Sequence, residues 1–130
     1  MNKSRRETLP YLIEKLSILN IKRTNYIYSL LHGKEMIHGM PHEVLRKCGK
    51  KTCKCNTGTK HGPYPALSVN KQGRQKIVMI KKADATSVLN GAERYKLFQQ
   101  TLARIRRIDK EINQILVKLK IDTTTDYIPG

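Results

Sequence analysis

The feature that most constrains this chain is a spacing, Cys48-x4-Cys53-x-Cys55-x5-His61. Four soft or borderline ligands fall within fourteen residues, a set able to close a tetrahedral zinc site. The segment that carries them cannot bury a large core, and units that small ordinarily rest on disulfides or a metal. Three cysteines cannot all pair with one another. With no apolar signal-type run in Met1 to Pro10, the odd count points to a reducing compartment and away from a disulfide framework. The expectation is therefore Zn2+ held by Cys48, Cys53, Cys55 and His61. Gly49 leaves room for a tight loop after the first ligand. Lysines 47, 50, 51, 54 and 60 would lower the thiol pKa values and offset part of the negative charge of three thiolates. An iron–sulfur or redox role would usually ask for a fourth cysteine. His38 and His42, with Pro41 between them, read as exposed loop histidines.

Charge singles out the same region. Residues 44–83 contain eleven Lys or Arg and no Asp or Glu. The flanks are nearly balanced, with seven basic and four acidic groups in 1–43 and eight and six in 84–130. Of the net +16, +11 therefore sits in the middle third, which argues against a generally lysine-rich chain. A one-signed surface of this kind fits a polyanion. Arg46, Lys47, Lys50, Lys51, Lys54, Lys60, Arg74 and Lys76 are the candidate nucleic-acid contacts. Stacking on single-stranded bases needs aromatics, and within this segment only Tyr64 and His61 offer rings. That favours duplex DNA, with an RNA-binding ribonucleoprotein subunit as the second reading and a coiled-coil adaptor for an acidic protein as the third. A second cluster, Arg104, Arg106, Arg107 and Lys110, reads as the flank of a helical seam. No nucleophile–base–orienter set is visible, and the basic segment lacks the carboxylates that metal-assisted phosphoryl chemistry requires. A non-catalytic protein with no small-molecule substrate is expected, and Tyr64 reads as a packing residue.

The rest of the chain reads as scaffold. Leu9, Leu12, Leu16, Leu19, Ile27, Leu30 and Leu31 show helical 3–4 spacing. Ser4 or Thr8 would start that helix, Pro10 would sit in its first turn, and Gly33 or the loop around Gly39 and Pro41 would end it. Glu43 to Lys47 fits a short helix or a strand. Tyr64–Asn70 and Arg74–Ile80 read as a hairpin joined by the three-residue loop Lys71-Gln72-Gly73. That register pairs Val69 with Gln75, Leu67 with Ile77 and Pro65 with Met79, and places Leu67, Val69, Ile77 and Met79 on one face. Asp84 reads as a helix cap, and Asn90 with Glu93 as a second capping signal. A stripe from Tyr95 through Ile105, Ile112 and Leu119 then predicts a helix from about Gly91 to about Leu119. The fold class expected is α+β, a small zinc-loop and β-hairpin head between two long antiparallel, coiled-coil-like helices. Its parts would be an N-terminal helix (1–38), the head (39–83), the long helix (84–122) and a flexible tail (123–130). A homodimer through the helices, no membrane span and a cytoplasmic location complete the expectation.

The run from Cys48 to Ser68, CGKKTCKCNTGTKHGPYPALS, resembles the C-G-K-x-x-C-x-C-x-x-G-x-x-H-G-P-Y-x-x-L-S core of a family of small prokaryotic proteins of unknown function, often linked to mobile elements. The shared residues are Cys48, Gly49, Cys53, Cys55, Gly58, His61, Gly62, Pro63 and Tyr64. The resemblance extends over the hairpin to Tyr95, about the central and C-terminal two thirds. It implies a metal-bound head with a helix before it and a hairpin and long helix after it, and assigns no activity. Pro65-Ala66 departs from the pattern, since relatives more often carry an aromatic after the tyrosine.

Overall fold

The computed structural model describes the backbone of residues 3–130 and the side chains of residues 8–130. The fold is α+β: helix α1 (Lys3–Ser29), strands β1 (Met40–Arg46), β2 (His61–Lys71) and β3 (Arg74–Met79), and helix α2 (Ala85–Thr123). Two compact units are present. One comprises the chain up to Gly33 together with Gln99–Gly130, and the other is Lys34–Phe98.

In the first unit α1 and the C-terminal part of α2 pack as an antiparallel pair. Leu12, Leu19, Ile108 and Ile115 are buried, flanked by Leu16, Tyr26, Ile112 and Leu119. Tyr11, Leu12 and Lys15 line a pocket with Glu111, Gln114 and Lys118, Arg23 Nε donates to Asp109 at 2.5 Å, and the Arg104 guanidinium lies 5.9 Å from the Tyr26 ring. Rising residue numbers on α1 thus meet falling ones on α2. The Arg23–Asp109 pair is exposed enough to contribute little; apolar burial holds the pair together. Pro10 lies inside α1, not in its first turn, so one ladder donor is missing there. The proposed Ser4 cap lies outside the described side chains. Arg23-Thr24-Asn25 does not interrupt the helix, and the Thr24 hydroxyl donates back to the Asn20 carbonyl at 3.0 Å. As expected, the helix ends ahead of Gly33, at φ +64.

In the second unit a three-stranded antiparallel sheet runs in the order β1-β2-β3. The ambiguous segment before Cys48 is a strand, longer at its start than Glu43–Lys47. Its Pro41 is tolerated because β1 is an edge. Pro63 and Pro65 lie on β2 beyond the last β3 rung, Ala66 with Met79, where no donor toward β3 is needed. The hairpin is real but its register differs from the expected one by a residue. Lys71 pairs with Arg74, Val69 with Lys76 and Leu67 with Val78. The loop is the two-residue Gln72-Gly73, with φ +51 and +76, the both-positive pattern whose twist matches that of paired strands.

The slip decides what each face carries. Leu67 and Val69 point to the back, where with Ala92 they form a core, joined by Ile37, Ile80 and Val88. Burial of Leu67 and Val69 contributes about 1.5–3 kcal/mol each. Ile77 and Met79 do not join them; they share the front face with Tyr64, Ala66 and Ser68. The front is open: Met40 is 71%, Ile77 50% and Tyr64 43% exposed.

Helix α2 starts at Ala85, directly after a 3-10 turn at Lys82–Asp84. Asn90 and Glu93 are therefore interior and not a cap, and the helix spans about 58 Å at 1.5 Å per residue. Gly91 has a packing reason. A Cβ there would meet Ile37 Cγ1 at 2.8 Å, and the Gly91 carbonyl accepts a hydrogen bond from the Ile37 amide at 3.0 Å. The first turns of α2 thus belong to the sheet's back face. That is why the compact unit spans Lys34–Phe98, wider than the 39–83 head read from the sequence.

Candidate metal centre

Two loop ends build the site. The first leaves β1 at Arg46 and runs through a turn and a short 3-10 segment, Lys54–Asn56. The Lys50 carbonyl accepts from the Cys53 amide at 3.2 Å and from Asn56 Nδ2 at 2.8 Å, and the same amide nitrogen reaches the Lys51 carbonyl at 3.0 Å. These bonds fold the chain back so that Cys48 and Cys55 meet, with sulfurs 3.5 Å apart. The Cys48 amide donates to the Cys55 sulfur at 3.3 Å. Cys55 is 1% exposed, the most buried large side chain of the head.

The second loop end is the start of β2. His61 pairs with Arg46 across a register irregularity between Val44 and Arg46, which turns the imidazole toward the thiols. Its Nε2 lies 3.0 Å from the Cys53 sulfur. Gly62 follows at φ +121, and a Cβ there would stand 2.8 Å from the Val44 carbonyl. Only glycine lets β2 approach β1 this closely beside His61. The ligand atoms of Cys48, Cys53, Cys55 and His61 all lie within 4.8 Å of one another. Thiolates bonded at about 2.3 Å to a tetrahedral ion stand about 3.8 Å apart, so the four groups could hold a metal ion with small adjustments. His38 and His42 are outside the cluster; His38 packs edge-on against Tyr95 at 5.2 Å.

The electrostatics prepare the site for a cation. The Cys53 thiol is pulled down from an ordinary 9.0 to about 6, chiefly by the Cys55 amide, then by Cys48, Cys55 and His61. It is ionised at neutral pH. At Cys48 the Lys50 amide also pulls down, yet the thiols of Cys53 and Cys55, with desolvation, outweigh it and hold the group above its ordinary value. Opposite shifts at Cys53 and Cys48 are the expected pattern when two thiols share a small space and no ion neutralises them.

The candidate nucleic-acid contacts fall into two groups. Arg46, Lys47, Lys50, Lys51, Lys54 and Lys60 are exposed around the metal cluster. Arg74 and Lys76 are exposed near the hairpin tip beside Lys71. The ends of β2, His61 and Lys71, are separated by about 33 Å of strand, so the eight residues do not form one patch. Two features escaped the sequence reading. Asn56 organises the loop, signalled only by an amide residue directly after the C-x-C pair. Arg46, Lys47, Cys48, His61, Tyr64 and Met79 line a groove of about 340 Å³, invisible until β1 and the true hairpin register are known.

No helix among the described residues is long and apolar enough to cross a membrane. No curated protein and no solved structure matches the chain. A family model described as a domain of unknown function, DUF6788, matches residues 14–89. That span reaches further into α1 than the resemblance above and stops short of Tyr95, and it contains the whole Cys3His cluster, both sheet loops and the Gly39–Ile37 segment. By this match the chain belongs to the DUF6788 family.

Proposed function

We propose that the protein is a zinc-stabilised, non-catalytic nucleic-acid-binding protein, with duplex DNA as the favoured partner. Three thiolates and an imidazole suit zinc better than hard cations, and four protein ligands leave no open position for catalysis. The observation that carries the reading is the set of six exposed Lys and Arg in the stretch of chain that bears the cluster, in a segment, 44–83, without one carboxylate. A rigid knuckle holding cations at fixed positions gains from counterion release on a polyphosphate. The second basic group at the hairpin tip supports a duplex: about 33 Å of strand is close to one B-form turn, about 34 Å. Phosphates one turn apart on the same side would meet both ends of β2. The resemblance of the Cys48–Ser68 core to proteins of mobile elements suggests an accessory role in transposition, replication or their control. The apolar residues that the intrachain helix pair leaves exposed, among them Ile18, Ile21, Leu116 and Ile121, support a homodimer through the helices as the assembled form.

The test is binding of a duplex of about two helical turns as a function of salt. Six phosphates neutralised give a log–log slope of about −5. Replacing Lys50, Lys51 and Lys54 together by Glu should abolish retention at moderate salt. A slope near zero, or unaltered affinity in the triple variant, overturns the reading. Competition by structured RNA at matched salt separates DNA from RNA; an RNA that displaces the duplex at lower concentration establishes the ribonucleoprotein alternative.

A further inference from the structure

The groove beside the metal cluster lies where the open sheet face meets the basic knuckle. Tyr64, Met79, His61, Cys48, Arg46 and Lys47 line it together. Tyr64 is 43% exposed. Ala66, the next front-facing residue of β2, carries only a methyl group, fully covered by its neighbours, so the strand itself places no large side chain beside the ring there. The opening holds about 340 Å³, within the range of small-ligand sites. An aromatic ring and a thioether suit a flat π-system, whereas the two lining cations suit a phosphate. A nucleotide joins those two chemistries in one unit. A base inside an intact duplex cannot reach such a groove, because it is stacked and paired.

We propose that this groove takes one unpaired nucleotide next to a duplex, its base against Tyr64 and Met79 and its phosphate on Arg46 and Lys47. The inference rests on the nucleic-acid reading above and adds the substrate class: duplex ends with an overhang, or bulged sites, in preference to blunt or continuous duplex. Scarce aromatics disfavour a long stacking platform. A site for a single base needs only one ring and one thioether.

The test compares a blunt DNA duplex of about two turns with the same duplex carrying a short single-stranded overhang whose first base is 2-aminopurine. Stacking on one aromatic predicts about five-fold or more tighter binding of the overhang duplex, with a change in 2-aminopurine emission on binding. Tyr64→Ala should remove that advantage while leaving blunt-duplex affinity unaltered, and Tyr64→Phe should retain it. Equal binding of blunt and overhang duplexes by the unaltered protein overturns the groove assignment and leaves the nucleic-acid reading standing. Absence of binding to either duplex overturns both. A free nucleoside monophosphate that competes as well as the overhang duplex also overturns the assignment, since the groove would then be a small-molecule pocket. Because the first comparison uses the unaltered protein, the outcome does not depend on the variants folding.

Discussion

Gly91→Ala gives opposite answers depending on what faces it. On an exposed helix the change would stabilise by about 1 kcal/mol, the difference in helix propensity. Here the new methyl meets Ile37 Cγ1 at 2.8 Å, Cδ1 at 3.0 Å and Cβ at 3.3 Å. Ile37 cannot easily turn away. It is β-branched and stiff at χ1, its amide is tied to the Gly91 carbonyl, and it packs on the Leu67–Val69 core. Overpacking of that kind costs about 1–3 kcal/mol, so the net effect runs from about neutral to about 2 kcal/mol destabilising. Ile37→Ala is destabilising in itself, but it removes the obstruction. In that background Gly91→Ala should stabilise by about 1 kcal/mol, giving a coupling of about 1–3 kcal/mol between the two sites. Urea unfolding of the four proteins, each with metal in fixed excess, measures the cycle. Equal stabilisation by Gly91→Ala in both backgrounds refutes the argument that this glycine exists to let Ile37 dock α2 against the sheet.

Two further outcomes bear on the metal loop. Asn56→Ala deletes two hydrogen bonds to the Lys50 and Lys51 carbonyls; it should destabilise the head by about 1 kcal/mol and speed metal transfer to a chelator, and an unchanged transfer rate contradicts the organising role. The Cys53 thiol is depressed to about 6 in the folded protein. Its contribution to stability is therefore fully present above the unfolded thiol value and is lost as pH falls through about 6. Metal release followed by a colorimetric chelator should stay low at neutral pH and rise at or below about pH 6; release centred well above neutrality contradicts a pre-ionised Cys53.

Much of this architecture is legible in the residues, and the misses have physical causes. The Cys3His cluster was readable because thiol and imidazole chemistry leaves few other uses for that spacing, and the two helix stripes because burial of Leu12, Leu19, Ile108 and Ile115 repeats at helical spacing. Strand β1 was not settled because it is an exposed edge in which only Val44 is partly buried, so no alternation marks it. The hairpin register hinged on whether Lys71 belongs to the loop. Gln72 adopts positive φ, an uncommon choice for that residue, and this let Lys71 pair with Arg74. Asn90 and Glu93 imitate a capping box, yet the helix runs through them because Val88 and Ala92 pack on the sheet. The groove could not be seen at all before the register placed Met79 beside Tyr64 and not behind it.

The most direct measurement is the metal content of the purified protein by elemental analysis, beside the Cys55→Ser variant. Cys55 is buried, receives the Cys48 amide and touches the Cys48 sulfur, so its loss should empty the site. The account predicts one zinc per chain in the unaltered protein and background zinc in the variant. Less than about a tenth of an equivalent in the unaltered protein, or equal zinc in both, contradicts it.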